Sequence, residues 1–99
     1  LLPEGAQALS ARSGMEVIQT DEFQRAFRKL PKEIRRLYAR QEERFRADWR
    51  DPRLHVKKVK ELPYALSFRI TRRYRVFFYF RDPETAVLFD VDHRRDAYR

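Results

Sequence analysis

The chain has 99 residues, no cysteine, two glycines, 14% aromatic residues and a formal net charge of +8. A chain this short has room for one core, and its aromatic content can build that core without disulfides or thiolate metal sites. No run approaches the ~20 consecutive apolar residues of a membrane helix, and the longest, residues 76–80 (VFFYF), is bounded by Arg75 and Arg81. A soluble protein without a membrane partner is therefore expected.

Residues 1–14 have neither a basic start nor a continuous apolar stretch, so they do not resemble a signal peptide. They are expected to form an N-terminal extension to a single domain spanning 15–99. Residues 53–81 hold nine Lys/Arg against one acid, Glu61, while the other 70 residues sum to zero. A positive field this concentrated steers and holds polyanions, which makes nucleic acid or an acidic protein segment the expected partner.

Residues 15–19 form a short β-prone run, and Thr20-Asp21-Glu22 supplies a capping oxygen and two acids for a helix start. Phe23, Ala26, Phe27 and Leu30 then lie on one helical stripe. Pro31 suits the first turn of a second helix, whose apolar positions Ile34, Leu37, Tyr38, Phe45 and Trp49 recur until Asp51-Pro52. The charged outer face of this hairpin has the pattern of a solvated helix, and Trp49 is read as a core or interface anchor.

Leu54, Val56, Val59 and Leu62 match neither a strand nor a helix period, so residues 54–62 are expected to form an irregular strand with a bulge near Lys57-Lys58. Pro63 is read as punctuation before a meander. A three-residue loop at Thr71-Arg72-Arg73 pairs Ile70 with Tyr74, Phe68 with Val76 and Leu66 with Phe78, leaving Arg69 opposite Arg75 on the other face. A four-residue loop over 81–84 then pairs Val87, Phe89 and Val91 with Phe78, Val76 and Tyr74, and sets Arg75 across from Asp90. Facing arginines repel, so a carboxylate or a ligand must neutralise them. Asp90 can serve Arg75, which leaves Arg69 as the stronger functional candidate. The expected fold is α+β, with an N-terminal strand and a two-helix hairpin packed on one face of a small, mainly antiparallel sheet of four to five strands.

These elements, in this order, resemble a RelE/ParE-superfamily toxin of bacterial toxin–antitoxin systems. The resemblance runs from Met15 to Arg99 and is carried by LPKEI (30–34), HVKKVKELP (55–63), LSFRI-TRR-YRVFFYF (66–80) and HRRDAYR (93–99). It implies a cytoplasmic, ribosome-dependent endoribonuclease that cuts mRNA, inhibits translation and is silenced by a cognate antitoxin. Operator DNA would be reached only through the antitoxin complex. The RelE branch uses no metal or other cofactor: the ribose 2′-hydroxyl attacks the adjacent phosphate, aided by basic residues and a tyrosine. Carried over by position, Arg69 and Arg75 match basic strand residues, His93 or Arg94 the basic position of the tail, and Tyr98 the terminal tyrosine. The sequence departs from the pattern at Ser67, where a second strand lysine would stand. The ParE branch has the same scaffold and poisons DNA gyrase, so a non-catalytic gyrase inhibitor is the alternative.

The chemistry suits these residue types. Arg69 and Arg75 offer planar forks of permanent charge for a phosphorane. His93 can act as acid or base near its ordinary pKa of about 6.5, and Tyr98 as acid, as a stacking surface, or as base if cations depress it. Lys57, Lys58 and Lys60, with Arg72 and Arg73, would grip RNA phosphates without reading sequence. His55 is read as a surface residue on the irregular strand in preference to a second histidine at the site. Two histidines far apart in the chain and no thiols argue against a metal site.

Overall fold

The computed structural model describes residues 15–93. The readings of residues 1–14, Arg94 and Tyr98 lie outside the described residues. β1 (Glu16–Gln19) leads into α1 (Asp21–Arg28) and α2 (Lys32–Ala47), followed by a 3-10 turn (Pro52–Leu54) and four strands. These are β2 (Lys57–Val59), β3 (Leu62–Arg69), β4 (Tyr74–Asp82) and β5 (Thr85–His93). The sheet order is β1-β5-β4-β3-β2. β1 runs parallel to β5 and every other pair is antiparallel, which is the α+β arrangement expected.

Local signals set the helix boundaries. The Thr20 hydroxyl accepts the Phe23 amide at 3.1 Å, satisfying one of the donors that a helix start leaves open. Pro31 caps α2 at the place where a missing N–H costs nothing. α2 ends at Ala47, ahead of the expected stop at Asp51-Pro52, and Trp49 leaves the helix to pack edge-on against Phe80 at 5.0 Å.

One core lies between the helices and the sheet. Phe23, Phe45, Phe68, Phe78, Leu54, Val76, Ala86 and Leu88 are wholly removed from solvent there. Phe45 stacks on Phe68 at 4.6 Å and meets Phe78 edge-on at 4.8 Å, so α2 is seated on β3 and β4 by three aromatic rings. The Tyr38 hydroxyl accepts from Gln19 at 3.2 Å, and burial raises its pKa well above the ordinary phenol range. Leu37, expected in this stripe, is 41% exposed, and Gln41 occupies the inward position between Tyr38 and Phe45.

The β3–β4 register is as expected: Leu66 faces Phe78, Phe68 faces Val76 and Arg69 faces Arg75. The expected strand over 54–62 is shorter, since Leu54 ends the 3-10 turn and residues 60–61 form a turn before β3, but its irregularity appears as a register shift between Lys58 and Val59. Pro63 does not end a segment but lies inside β3, ahead of the rungs β3 shares with β4. The β4–β5 register differs from expectation: in place of a four-residue loop over 81–84, Asp82 pairs with Thr85 and only Pro83-Glu84 lie between the strands. Phe77 pairs with Asp90 and Phe78 with Leu88, so Phe89 is an extra residue that bulges out of the ladder. The bulge reverses the alternation of β5. Ala86 and Leu88 consequently face the helices, while Phe89 joins Phe77, Val59 and Ala65 in a small cluster on the other face.

Candidate functional site

The face away from the helices carries Ser67, Arg69 and Arg75 at the end where β3 turns into β4. Arg75 is the largest fully buried side chain, with 2% of its surface exposed. An unpaired guanidinium would be costly there, so its bonds decide the local structure. Its Nε donates to the Ser67 hydroxyl at 2.9 Å, and its Nη2 donates to the Ser67 carbonyl at 3.4 Å and to the His55 carbonyl. Ser67, the departure from the family pattern, thus has a structural role as acceptor for this arginine.

His55 reaches this position through its backbone. It caps the 3-10 turn with φ 48° and ψ 53°, and it is the one non-glycine residue with positive φ among the described residues. That left-handed conformation is uncommon for a side chain with a Cβ, and histidine is among the types that tolerate it. It turns the chain so that the His55 carbonyl meets Arg75 while Lys57, two residues on, pairs with Ser67. The His55 imidazole has its pKa lowered by desolvation first, and then by the charges of Arg69, Arg75 and Lys57. The surface histidine of the sequence reading thus stands in the cationic cluster, though its side chain is exposed. Nothing in the pattern around residue 55 signals this, because the placement depends on a tertiary contact to Arg75.

Arg69 is half-buried, and its Nε is buried with no hydrogen-bond partner among the described residues. Opposite it, Arg75 faces Asp92 in the register, not Asp90 as expected, because the tighter turn end, where Phe80 pairs with Ala86, and the Phe89 bulge each move the pairing by one residue. Asp90 lies across from Phe77, and burial raises its pKa, helped by Asp92 beside it. His93 is the last residue of β5 and pairs with Tyr74, the two rings edge-to-face at 5.2 Å. Strand alternation turns Tyr74 and His93 to the side opposite Arg75 and Asp92, so His93 is at the rim of the sheet.

The expected phosphate grips divide in two. Lys57, next to Ser67, and Arg72 and Arg73, in the β3–β4 loop, belong to the Arg69 end. Lys58 pairs with Leu66, and Lys60 is in the turn before Leu62. At ~3.3 Å per residue, the length of β3 separates Lys60 from Arg69 by roughly 20 Å.

The β1-α1-α2-β2-β3-β4-β5 order, the five-stranded sheet and the opposed arginines can be compared with solved structures. The chain superposes on the RelBE2 toxin–antitoxin complex of Mycobacterium tuberculosis with a TM-score of 0.61 and 28% identity, covering 82% of this chain and 99% of that one. It superposes on the RelB–RelE antitoxin–toxin complex of Methanococcus jannaschii with a TM-score of 0.65 and 20% identity, covering 82% and 94%. For the archaeal RelE–RelB complex of Pyrococcus horikoshii the TM-score is 0.64 at 16% identity, covering 81% and 94%. The fold is that of RelE/ParE-type toxins. No protein-family model and no curated protein sequence matches the chain. Within this RelE/ParE fold, the structure brings Arg69, Arg75, His55 and Lys57 together, with Arg72 and Arg73 in the adjoining loop. Lys60 is at the far end of β3. No helix among the described residues is long and apolar enough to cross a membrane.

Proposed function

We propose that the chain is the toxin of a toxin–antitoxin system and acts as a ribosome-dependent endoribonuclease on mRNA. The observation that carries this reading is the juxtaposition of Arg69 and Arg75 on one rung, with the His55 imidazole within reach of both charges. Arg75 is already oriented by Ser67 and His55, and Arg69 keeps an unsatisfied Nε donor, so the positive charge is in place before a phosphate arrives.

The reaction this arrangement suits is attack by a ribose 2′-oxygen on the neighbouring phosphorus. The P–O5′ bond breaks, leaving a 2′,3′-cyclic phosphate and a 5′-hydroxyl. Arg69 is the group for the charge gathering on the phosphorane oxygens, with Arg75 held behind it. His55, biased toward its neutral form by desolvation and then by the cations around it, is suited to take the 2′-hydroxyl proton. Tyr98, with Arg94, completes the set implied by the resemblance by supplying the proton for the departing O5′, while His93, turned with Tyr74 to the other side of the sheet, is given no step. All of these groups are side chains, and no step calls for a metal. A RelB-type antitoxin is the partner, since the three similar structures above are toxins in complex with antitoxins.

The test is a pair of assays on the purified protein. Primer extension on transcripts from a translating extract should reveal cuts in phase with codons, and DNA gyrase supercoiling should be unaffected. Loss of supercoiling with intact transcripts would place the chain in the ParE branch instead.

A further inference from the structure

A second cationic feature adjoins the Arg69–Arg75 rung on the helix side. A cleft of about 310 Å³ opens between α2, the 3-10 turn and the end of β3, lined by Arg40, Arg44, Arg53, His55, Arg69 and Ile70 with Gln41 and Leu37. Its frame is rigid. Gln41, only 6% exposed, donates to the Arg69 carbonyl at 2.7 Å and the Arg53 carbonyl at 3.1 Å, and its own carbonyl accepts from Arg44 Nη1 at 2.7 Å. One amide therefore ties the helix, the turn and the strand together and fixes one arm of Arg44.

The cations in the cleft are not equivalent. Arg53 is held bidentately by Asp51, with bonds of 3.1 and 2.8 Å, and that grip brings the Asp51 pKa down to about 2. Its charge is already answered. Arg44 gives one bond to Gln41 and has further donors, Arg69 Nε has no partner among the described residues, and Arg40 is exposed at the mouth. The Lys57 charge acts on His55 and Arg72-Arg73 follow in the β3–β4 loop, while Ile70 and the exposed Leu37 give the cleft an apolar margin. A row of positive groups with a small apolar floor matches a backbone of successive phosphates joined by sugars.

We propose that this cleft is a subsite for one backbone phosphate of a single-stranded nucleic acid, bound by Arg40 and Arg44 beside the Arg69 and His55 groups that serve the scissile position. It rests on the nucleic-acid reading of the neighbouring face, and the α2 arginines add to that reading a contact one step along the strand from the scissile position.

The experiment measures binding of a short all-2′-deoxy oligonucleotide, which cannot be cleaved, by fluorescence anisotropy over a range of salt concentrations. Each phosphate contact removed should lower the log–log salt slope by about 0.7. Arg44→Gln and Arg40→Gln should each show such a drop, whereas Arg25→Gln, an exposed change on α1 beside Glu22, should leave the slope near wild type. Equal slopes for all three variants would overturn the subsite, and so would displacement of the oligonucleotide by a polyglutamate peptide that also depends on Arg44. Because the probe is uncleavable, a chain that never cuts RNA can still show the Arg44-dependent slope. Codon-phased cutting with no such dependence removes the subsite alone.

Discussion

On the face of the sheet under the helices, Phe68 and Phe78 are buried against Phe45 with ring centroids 4.6 to 5.9 Å apart. On the opposite face, one residue along the same strands, stand Ser67, Arg69, Arg75 and a looser aromatic group that includes Tyr64, 62% exposed. The first face obtains its stability from apolar area withdrawn from water. The second spends some of that stability to bury an arginine beside another arginine, an arrangement that only hydrogen bonds or a bound anion can offset. Separating the two tasks by strand alternation lets the cationic face remain charged without weakening the core that holds it.

The largest loss of stability is expected on the apolar side. Phe68→Ala should cost about 3–5 kcal/mol in urea unfolding, and a loss below ~1 kcal/mol would mean that the helices are not seated as described. Gln41→Leu comes next, because it removes the donor to two carbonyls at the junction of the faces. The expected cost is about 1–3 kcal/mol for each carbonyl left unpaired, read by the same unfolding curves.

A smaller effect sharpens the cationic side. Arg69 lowers the His55 pKa, so Arg69→Gln should raise it, as followed by NMR of the imidazole protons. In the wild type His55 should titrate below the ordinary value of about 6.5. The sign for stability follows: protonating His55 is harder in the folded chain than in the unfolded one. This residue therefore withdraws stability as pH falls through about 6.5, and Arg69→Gln should lessen that withdrawal. Least affected is Tyr64→Ser on the exposed aromatic group, expected to stay within about ±0.5 kcal/mol.

Much of this division is readable from residues 66–78, because the loop of Thr71-Arg72-Arg73 leaves one register that keeps all apolar side chains together, and Ile70 donates to the Tyr74 carbonyl at 2.8 Å as that loop requires. β5 carries no such signal. Residues 86–89 (AVLF) are apolar throughout, so no alternation marks Phe89 as the bulged residue, and Arg75 is paired on paper with Asp90 where the sheet pairs it with Asp92. Gln41 had a legible signal, since it falls on the stripe of Tyr38 and Phe45, but a polar residue in a charged helix reads as solvated. His55 had none. Its position depends on a left-handed backbone and on a bond to Arg75, twenty residues away.

The central claim is that Arg69, opposite the buried Arg75, is the working cation of an RNA-cleaving site. The direct measurement is primer extension on transcripts from a translating extract treated with wild-type protein or with Arg69→Gln, after thermal melting has established that both are folded. The account predicts codon-phased cuts with the wild type and their loss, by two orders of magnitude or so, with Arg69→Gln. Equal cutting by the two folded proteins would contradict it.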